Sequence, residues 1–340
     1  MARFTQHNLL NKLAQGSNRG IAKELKYWFL RNIKINRDYF QRQSWLCIPF
    51  EELYKKHIWQ PFILVAGGDS YRKEINILAN APDIFVIACV DRIAGNLLNA
   101  GVKVNYIFCV DVESKPIEAD TSNSHLIFDM ATNPELVIKF KGKRTYYRTQ
   151  YPPEIELEAQ RMCAGDAWCP FLGGNVSTAM FAICRDWLCA HSIAFVGHDF
   201  CYDTKRPQDT DFPVYIDGKQ KWTYPGYWLF KLWTEEKIDS CDKEFYRHRY
   251  VNCSLDGLLG RLYQKEDGEW EFLDSLERMS LTQYIQEETE RYYELKEIEK
   301  ATFRCIVEAK GDILLKNEIY KDNIEYYVEM IEKSMEVNHA

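Results

Sequence analysis

The chain has 340 residues, 46% of them hydrophobic and 14% aromatic, with 43 basic and 50 acidic side chains and a formal net charge of −7. This length holds one large α/β domain with helical additions, and the apolar content excludes a disordered chain. The acidic balance argues against a general nucleic-acid binder, which needs a basic surface for counterion release. It leaves room for a nucleotide held locally by backbone N–H groups at a helix N-terminus.

Residues 1–60 read as helical. Leu9, Leu10 and Leu13, then Ile21, Leu25, Trp28 and Phe29, recur at helical spacing, and Pro49 separates them from a short helical piece, Glu51 to His57. The opening MARFTQHNLLNKLAQGSNRG has no apolar core of signal-peptide type, and no run approaches the ~18 apolar residues of a membrane span. A cytoplasmic location without a membrane span is therefore expected.

Residues 61–260 form the expected central domain. Its apolar runs are FILVA (62–66), IFVIACV (84–90), YIFCV (106–110), HLIFD (125–129), TYYRT (145–149) and IAFVG (193–197). Each is about strand length, and helix-like stretches such as Asp91 to Ala100 and Asn175 to Ala190 lie between them. This alternation predicts βαβ units and a mostly parallel, doubly wound Rossmann-like α/β sheet, with strands buried on both faces. Residues 201–226 form an expected insertion, a polar loop followed by a hairpin turning at Asp217-Gly218. YWLFKLWTEEKI returns to helix, and YVNC (250–253) reads as one more strand. Residues 261–340 are expected to be a helical region ending in a hairpin of helices broken at Gly311-Asp312. That hairpin is a packing element or a homo-oligomer contact.

Eleven cysteines are present, and no C-x-x-C pair of the zinc-binding kind occurs. Cys89 and Cys109 lie inside apolar runs. The set reads as reduced thiols of a cytosolic protein.

Ligands of such sheets bind beyond the carboxyl ends of the strands. The first candidate is Ala66-Gly67-Gly68-Asp69-Ser70, where Gly67 and Gly68 admit an anion to the backbone and Ser70 can cap a helix. An ordinary tight turn fits as well, and Asp69 would repel a phosphate. Asp91, then Asp111 with Glu113, end the next two runs and suit ribose hydroxyls, a cation or a base; Asp91 also suits a plain N-cap. The fourth candidate is Gly173-Gly174-Asn175-Val176-Ser177, a glycine-lined helix start whose free N–H groups favour an anion. Gly197-His198-Asp199 supplies a group titrating near neutrality beside a carboxylate.

The ordered set GGDS, VDR, CVD, LGGNVSTA, FVGHDF and YVNCSLDGLL resembles the MptE-like domain. Archaeal hydroxymethylpterin diphosphokinases share that domain with the motility accessory factors that glycosylate flagellin, which themselves resemble sialyltransferases. The resemblance covers roughly residues 60–260, and Asn252 stands at one of its later positions. The family's first loop usually reads G-x-G-P-S; here Ala66 replaces the first Gly and Asp69 the Pro. His198 stands where Gln is common.

The resemblance implies a nucleotide-dependent transferase. LGGNVSTA and FVGHDF are closer to the accessory-factor branch, so the first expectation is a glycosyltransferase using a nucleotide-activated, CMP-linked sugar, with His198 or Asp199 as base and no required metal. Its nucleotide would lie on Gly67, Gly68, Ser70, Asp91, Asp111, Gly173, Gly174, Asn175, Ser177, Gly197 and Asn252. The acceptor is a protein, a glycan or a pterin-like molecule. The alternatives are a diphosphokinase carrying Mg2+ on Asp91 and Asp111, and a non-catalytic nucleotide-binding scaffold.

Overall fold

The computed structural model describes residues 25–43, 47–53, 56–57, 60–149, 151, 153–162, 172–205, 210–240, 248–264 and 269–308. Helix α1 (Lys26–Arg42) and a short 3-10 turn, Phe50–Leu53, precede β1 (Pro61–Val65). Then follow α2 (Tyr71–Ala79), β2 (Val86–Val90), α3 (Asp91–Asn99), β3 (Tyr106–Cys109), β4 (His125–Asp129), α4 (Pro134–Lys139) and β5 (Lys143–Tyr147). Next come α5 (Pro153–Met162), α6 (Val176–Asp186), β6 (Ser192–Val196), the hairpin β7 (Phe212–Ile216) and β8 (Lys219–Thr223), and α7 (Pro225–Ser240). The described part closes with β9 (Arg249–Asn252), β10 (Arg261–Gln264), β11 (Trp270–Phe272), β12 (Glu277–Arg278) and α8 (Leu281–Glu308).

Eight strands form one sheet in the order β12-β9-β6-β1-β2-β3-β4-β5. Every pairing in it is parallel. The fold is thus the expected α/β, Rossmann-like sheet flanked by helices. β1, β2, β4 and β6 are buried at every residue, which is why these segments read as unbroken apolar runs. The order runs outward from β1 through β5 on one side and restarts with β6 on the other. The order therefore reverses between β1 and β6, which makes their carboxyl ends the switch point of the sheet.

Local chemistry fixes the helix starts. Asn133 caps α4 by accepting the Glu135 N–H, while Pro134 at the first position forfeits no hydrogen bond. Asn175 and Thr178 form a reciprocal capping box at α6. Helix α1 is clamped over the carboxyl ends of β3 and β4. Asn32 Nδ2 donates to the carbonyls of Val112 and Ala131 at 3.1 and 3.0 Å, and Asn36 Nδ2 to those of Met130 and Thr132 at 2.9 and 2.8 Å.

Three expectations need correction. In the piece Glu51 to His57, expected to be helical, the described residues form the 3-10 turn Phe50–Leu53 and no α-helix, and residues 54–55 lie outside the description. Helix α6 stops at Asp186 rather than Ala190, because the chain turns over a left-handed residue, Cys189, with φ of 56°. The stretch 261–278, expected to open a helical region, instead forms β10, β11 and β12. The start of α8 packs under the sheet, where the Tyr284 hydroxyl meets Ser192 Oγ at 2.7 Å and the Phe62 carbonyl at 3.2 Å. Residues from Gln286 onward belong to a second compact unit. The expected break at Gly311-Asp312 and the helices expected within residues 1–24 lie outside the described residues.

Candidate functional site

The loops after β1 and β6 are locked together at the switch point. The Ala66 N–H donates to the Val196 carbonyl at 2.8 Å and the Gly68 N–H to that of Gly197 at 2.9 Å. Both glycines are required by proximity. A Cβ on Gly68 would lie 2.6 Å from Asp199 Cγ and from the Gly197 carbonyl; one on Gly197, whose φ is +68°, would lie 2.4 Å from the Ala66 carbonyl. Through this contact Asp199 reaches the N-terminus of α2. Its Oδ2 accepts the Ser70 N–H at 2.9 Å and its Oδ1 the Ser70 hydroxyl at 2.5 Å. A carboxylate is stabilised there by the unpaired amides and the helix dipole. Burial pushes the Asp199 carboxyl above the usual range, and the Ser70 bonds oppose that shift. Ser254 joins the knot from beyond β9, with Oγ 3.3 Å from Ser70 Oγ and accepting the His198 N–H at 3.1 Å. Asn252 shapes the same loop: its side chain accepts the Ser254 N–H at 2.8 Å and donates to the Leu259 carbonyl at 2.9 Å. The Leu258 N–H donates to the Asp199 carbonyl at 2.8 Å.

What this knot leaves open matters most. Among the described residues, the backbone N–H groups of Gly67 and Asp69 have no protein acceptor. Gly67 is exposed, and the nearest side chains to its virtual Cβ are Arg92 and Val90, both at 4.0 Å. Arg92, in the first turn of α3, is exposed, and its guanidinium forms no ion pair or hydrogen bond with the described residues. Asp69 carries its charge outward, with a side chain 72% exposed and 3.4 Å from Arg72 Nε. The edge between β1 and β2 therefore carries open amides and, on the neighbouring strand end, an Arg92 side chain whose Cδ approaches Gly67.

His198 is only 2% exposed. Its Nδ1 faces the Val196 carbonyl at 3.3 Å, its ring packs edge-on against Phe195 at 5.0 Å, and Nε2 has no hydrogen-bond partner. Burial penalises the imidazolium and drives its pKa down to about 4. The ring is thus neutral at pH 7, with the proton on Nδ1 and an unused lone pair on Nε2.

The other expected positions divide between the same edge and local roles. Asp91 is the first residue of α3 rather than its cap; its Oδ2 accepts from Cys109 Sγ at 3.3 Å, and burial raises its carboxyl. Asp111 is exposed, and its Oδ1 accepts the Glu113 N–H at 3.0 Å. The neighbouring charge of Asp111 also works to raise Asp91. Among the described residues no group of three or more potential metal ligands comes together. Helix α6 leads directly into parallel β6, so its N-terminus lies at the carboxyl edge. Gly173 and Gly174 turn there at φ of +78° and +92°. Asn175 accepts the Thr178 N–H at 2.9 Å and the Ser177 hydroxyl at 2.8 Å, which leaves the amides of Val176 and Ser177 open by helix geometry. The hydrogen bonds of the Asn175, Ser177 and Thr178 side chains stay within this turn, and Gly173 packs against Trp233.

The sequence profile described as "6-hydroxymethylpterin diphosphokinase MptE-like" matches residues 32–205. The chain belongs to the MptE-like family. No curated protein matches it. Among solved structures, the MAf glycosyltransferase from Magnetospirillum magneticum AMB-1 is similar, at 11% identity and a TM-score of 0.48. That likeness covers 74% of this chain and 38% of that one, so this chain spans well under half of that protein's length.

The MptE-like core carries its insertion docked rather than loose. Tyr202 and Trp222 exchange two backbone hydrogen bonds of 2.8 Å, and Thr223 Oγ1 donates to the Phe200 carbonyl at 2.7 Å. Arg261 Nη2 holds Asp217 at the hairpin tip at 3.1 Å. Hairpin β7–β8 thus sits against the segment that follows Asp199. No helix among the described residues is long and apolar enough to cross a membrane. The motifs VDR and YVNCSLDGLL contain Arg92 and Ser254, but sequence pattern gives neither a role. Arg92 reads as an ordinary surface residue of a first helical turn. Ser254 lies 184 residues from the Ser70 it meets.

Proposed function

We propose that this MptE-like protein is a nucleotide-dependent transferase whose nucleotide phosphates sit on the Gly67–Ser70 turn. One observation carries this reading: at the switch point of a parallel sheet the amides of Gly67 and Asp69 have no protein acceptor among the described residues, and the exposed Arg92 side chain approaches Gly67, its Cδ 4.0 Å from the position a Cβ there would take. Asp199 acts through Ser70, holding the turn in shape, while Gly197 and Asn252 brace it. The open amides of Val176 and Ser177, with the turn at Gly173, Gly174 and Asn175, supply a second anion contact on the same edge.

The transferred group is best read as a sugar carried by a nucleotide, CMP-linked among the candidates. LGGNVSTA and FVGHDF resemble the accessory-factor branch. A leaving nucleotide phosphate is stabilised here by fixed N–H groups and a guanidinium, donors that need no metal. His198, the base candidate of the sequence, keeps its Nε2 buried and so braces the loop after β6 rather than meeting an acceptor hydroxyl. A ligand screen by thermal shift with CMP, CDP, UDP, GDP and ATP, each with and without Mg2+, tests this, because preferential binding raises stability by RT ln(1 + [L]/Kd). Metal-independent stabilisation by a nucleotide, lost in Arg92→Gln, is expected. No stabilisation by any of them defeats the nucleotide reading.

A second reading has its own observation. Asp91 and Asp111 stand at neighbouring strand ends, close enough for one charge to raise the other, as a pair awaiting a divalent cation would be. A diphosphokinase would then bind ATP only with Mg2+, and Asp91→Asn would abolish that dependence. A scaffold role without turnover predicts nucleotide binding and no donor consumption.

A further inference from the structure

We infer a second oxyanion site on this edge of the sheet, built on Arg278 and separate from the Gly67–Ser70 turn. Strand β12 pairs with β9 so that Arg278 lies level with Asn252, at the carboxyl ends of the strands. Two strands separate it from the switch point, across β9 and β6. The Arg278 guanidinium stacks over the ring of Phe272 at 3.9 Å, and that of Arg261 lies over the same ring at 5.2 Å.

The charges here do not balance. Among the described residues the carboxylate whose charge reaches Arg278 is Asp217, which bonds Arg261 at 3.1 Å and is itself 67% exposed. Arg278 forms no ion pair or hydrogen bond with the described residues, and its Nε is buried without an acceptor. A buried donor left unsatisfied is costly, and a second guanidinium nearby adds repulsion. Burial, followed by the Arg261 charge, works to lower the Arg278 pKa, which is the signature of a cation short of counter-charge.

A planar or tetrahedral oxyanion supplies the missing counter-charge. It accepts from the terminal N–H groups of Arg278, since Nε is closed to solvent, and it offsets the excess charge. Phe272 holds the fork flat, so little side-chain freedom is lost on binding. The ligand is a carboxylate or a phosphate, borne by a small molecule or by the far end of a substrate whose other end occupies the switch point.

The test uses the full chain with 15N-labelled arginine, the Arg278 Nε–H signal being assigned by its loss in Arg278→Gln. Inorganic phosphate and lactate are titrated separately at constant ionic strength, with chloride as the control. A saturable shift of the Arg278 signal is expected with at least one probe, while chloride leaves it in place. Response to phosphate alone marks a phosphoryl ligand, and response to lactate marks a carboxylate. If neither probe gives a saturable shift, or chloride reproduces it, the site does not exist. A retained Arg261 signal shows that Arg278→Gln is folded. The readout is independent of nucleotide binding at Gly67.

Discussion

Gly67 and Gly68 are adjacent, yet replacing each by alanine should change stability in opposite directions. At Gly68 the new Cβ would lie 2.6 Å from Asp199 Cγ and Oδ2 and from the Gly197 carbonyl. Two of these neighbours are backbone or a pinned carboxylate, so the loops after β1 and β6 must separate. That weakens the Gly68 N–H bond to Gly197 and the two Ser70 bonds to Asp199. A neutral hydrogen bond is worth about 1 kcal/mol net, and bonds to a charge more, with a further penalty for a buried carboxylate left short of donors. Gly68→Ala should therefore cost about 3–5 kcal/mol. At Gly67 the nearest atoms lie at 4.0 Å and the position is exposed. Restricting the unfolded chain should make Gly67→Ala stabilising by roughly 0.4–1 kcal/mol. Urea unfolding of both variants, compared at constant m-value, gives the answer. A Gly68→Ala variant within about 0.5 kcal/mol of the parent would refute the locked-loop geometry. Equal damage from both variants would do the same.

Arg92→Gln should leave stability within about 0.5 kcal/mol, since the side chain has no partner among the described residues. It should weaken nucleotide binding by a factor of about 10–100, the worth of a charge-assisted contact, as read by calorimetry. His198 gives a pH signature. Its pKa is about 4 in the folded protein against an ordinary 6.5, so the stability tied to the neutral ring is fully present above pH 6.5 and lost as pH falls toward 4. His198→Gln removes this linkage, and the stability gap between parent and variant should narrow by up to about 1.4 kcal/mol per pH unit across that window. Parallel urea titrations at pH 7 and 4.5 that show a constant gap would mean that the imidazole is not desolvated.

The core of the sheet was readable because a strand buried on both faces shows as an uninterrupted apolar run, and β1, β2 and β6 do. Strand ends moved by a residue or two; TYYRT became Lys143–Tyr147. The hairpin was readable from Asp217-Gly218, whose φ angles of 49° and 76° only such a pair adopts cheaply. The short strands of 261–278 were not readable, since two to four residues carry no periodicity. The glycine turns announced where a ligand could approach. Sequence could not show that Asp199 spends both oxygens on Ser70, a partner 129 positions away, or that Arg92 is left unpaired beside Gly67. Pairing across a switch point joins residues that only the strand order brings together.

That strand order also recasts the two departures in the first loop. Ala66 stands where the family usually has glycine, and here its backbone simply continues β1, bonded to Val196, while the close approaches fall at Gly68 and Gly197. No glycine is needed at 66. Asp69 stands where the family usually has proline. Its carboxylate threatened to repel a phosphate, but it points outward to Arg72. Proline has no N–H to offer, whereas Asp69 adds an open amide to the turn. On the proposed reading the substitution therefore adds a donor to the anion seat. Asp69→Pro should keep the fold, because the side chain is 72% exposed and its pairing with Arg72 is a surface contact. It should weaken nucleotide binding by about 1 kcal/mol, a factor of roughly five, through loss of one donor. Asp69→Asn, which keeps the amide and removes the charge, should bind as well as the parent or better. If calorimetry finds the proline variant binding as tightly as the asparagine variant, the Asp69 amide does not touch the ligand, and the phosphates lie elsewhere along the edge.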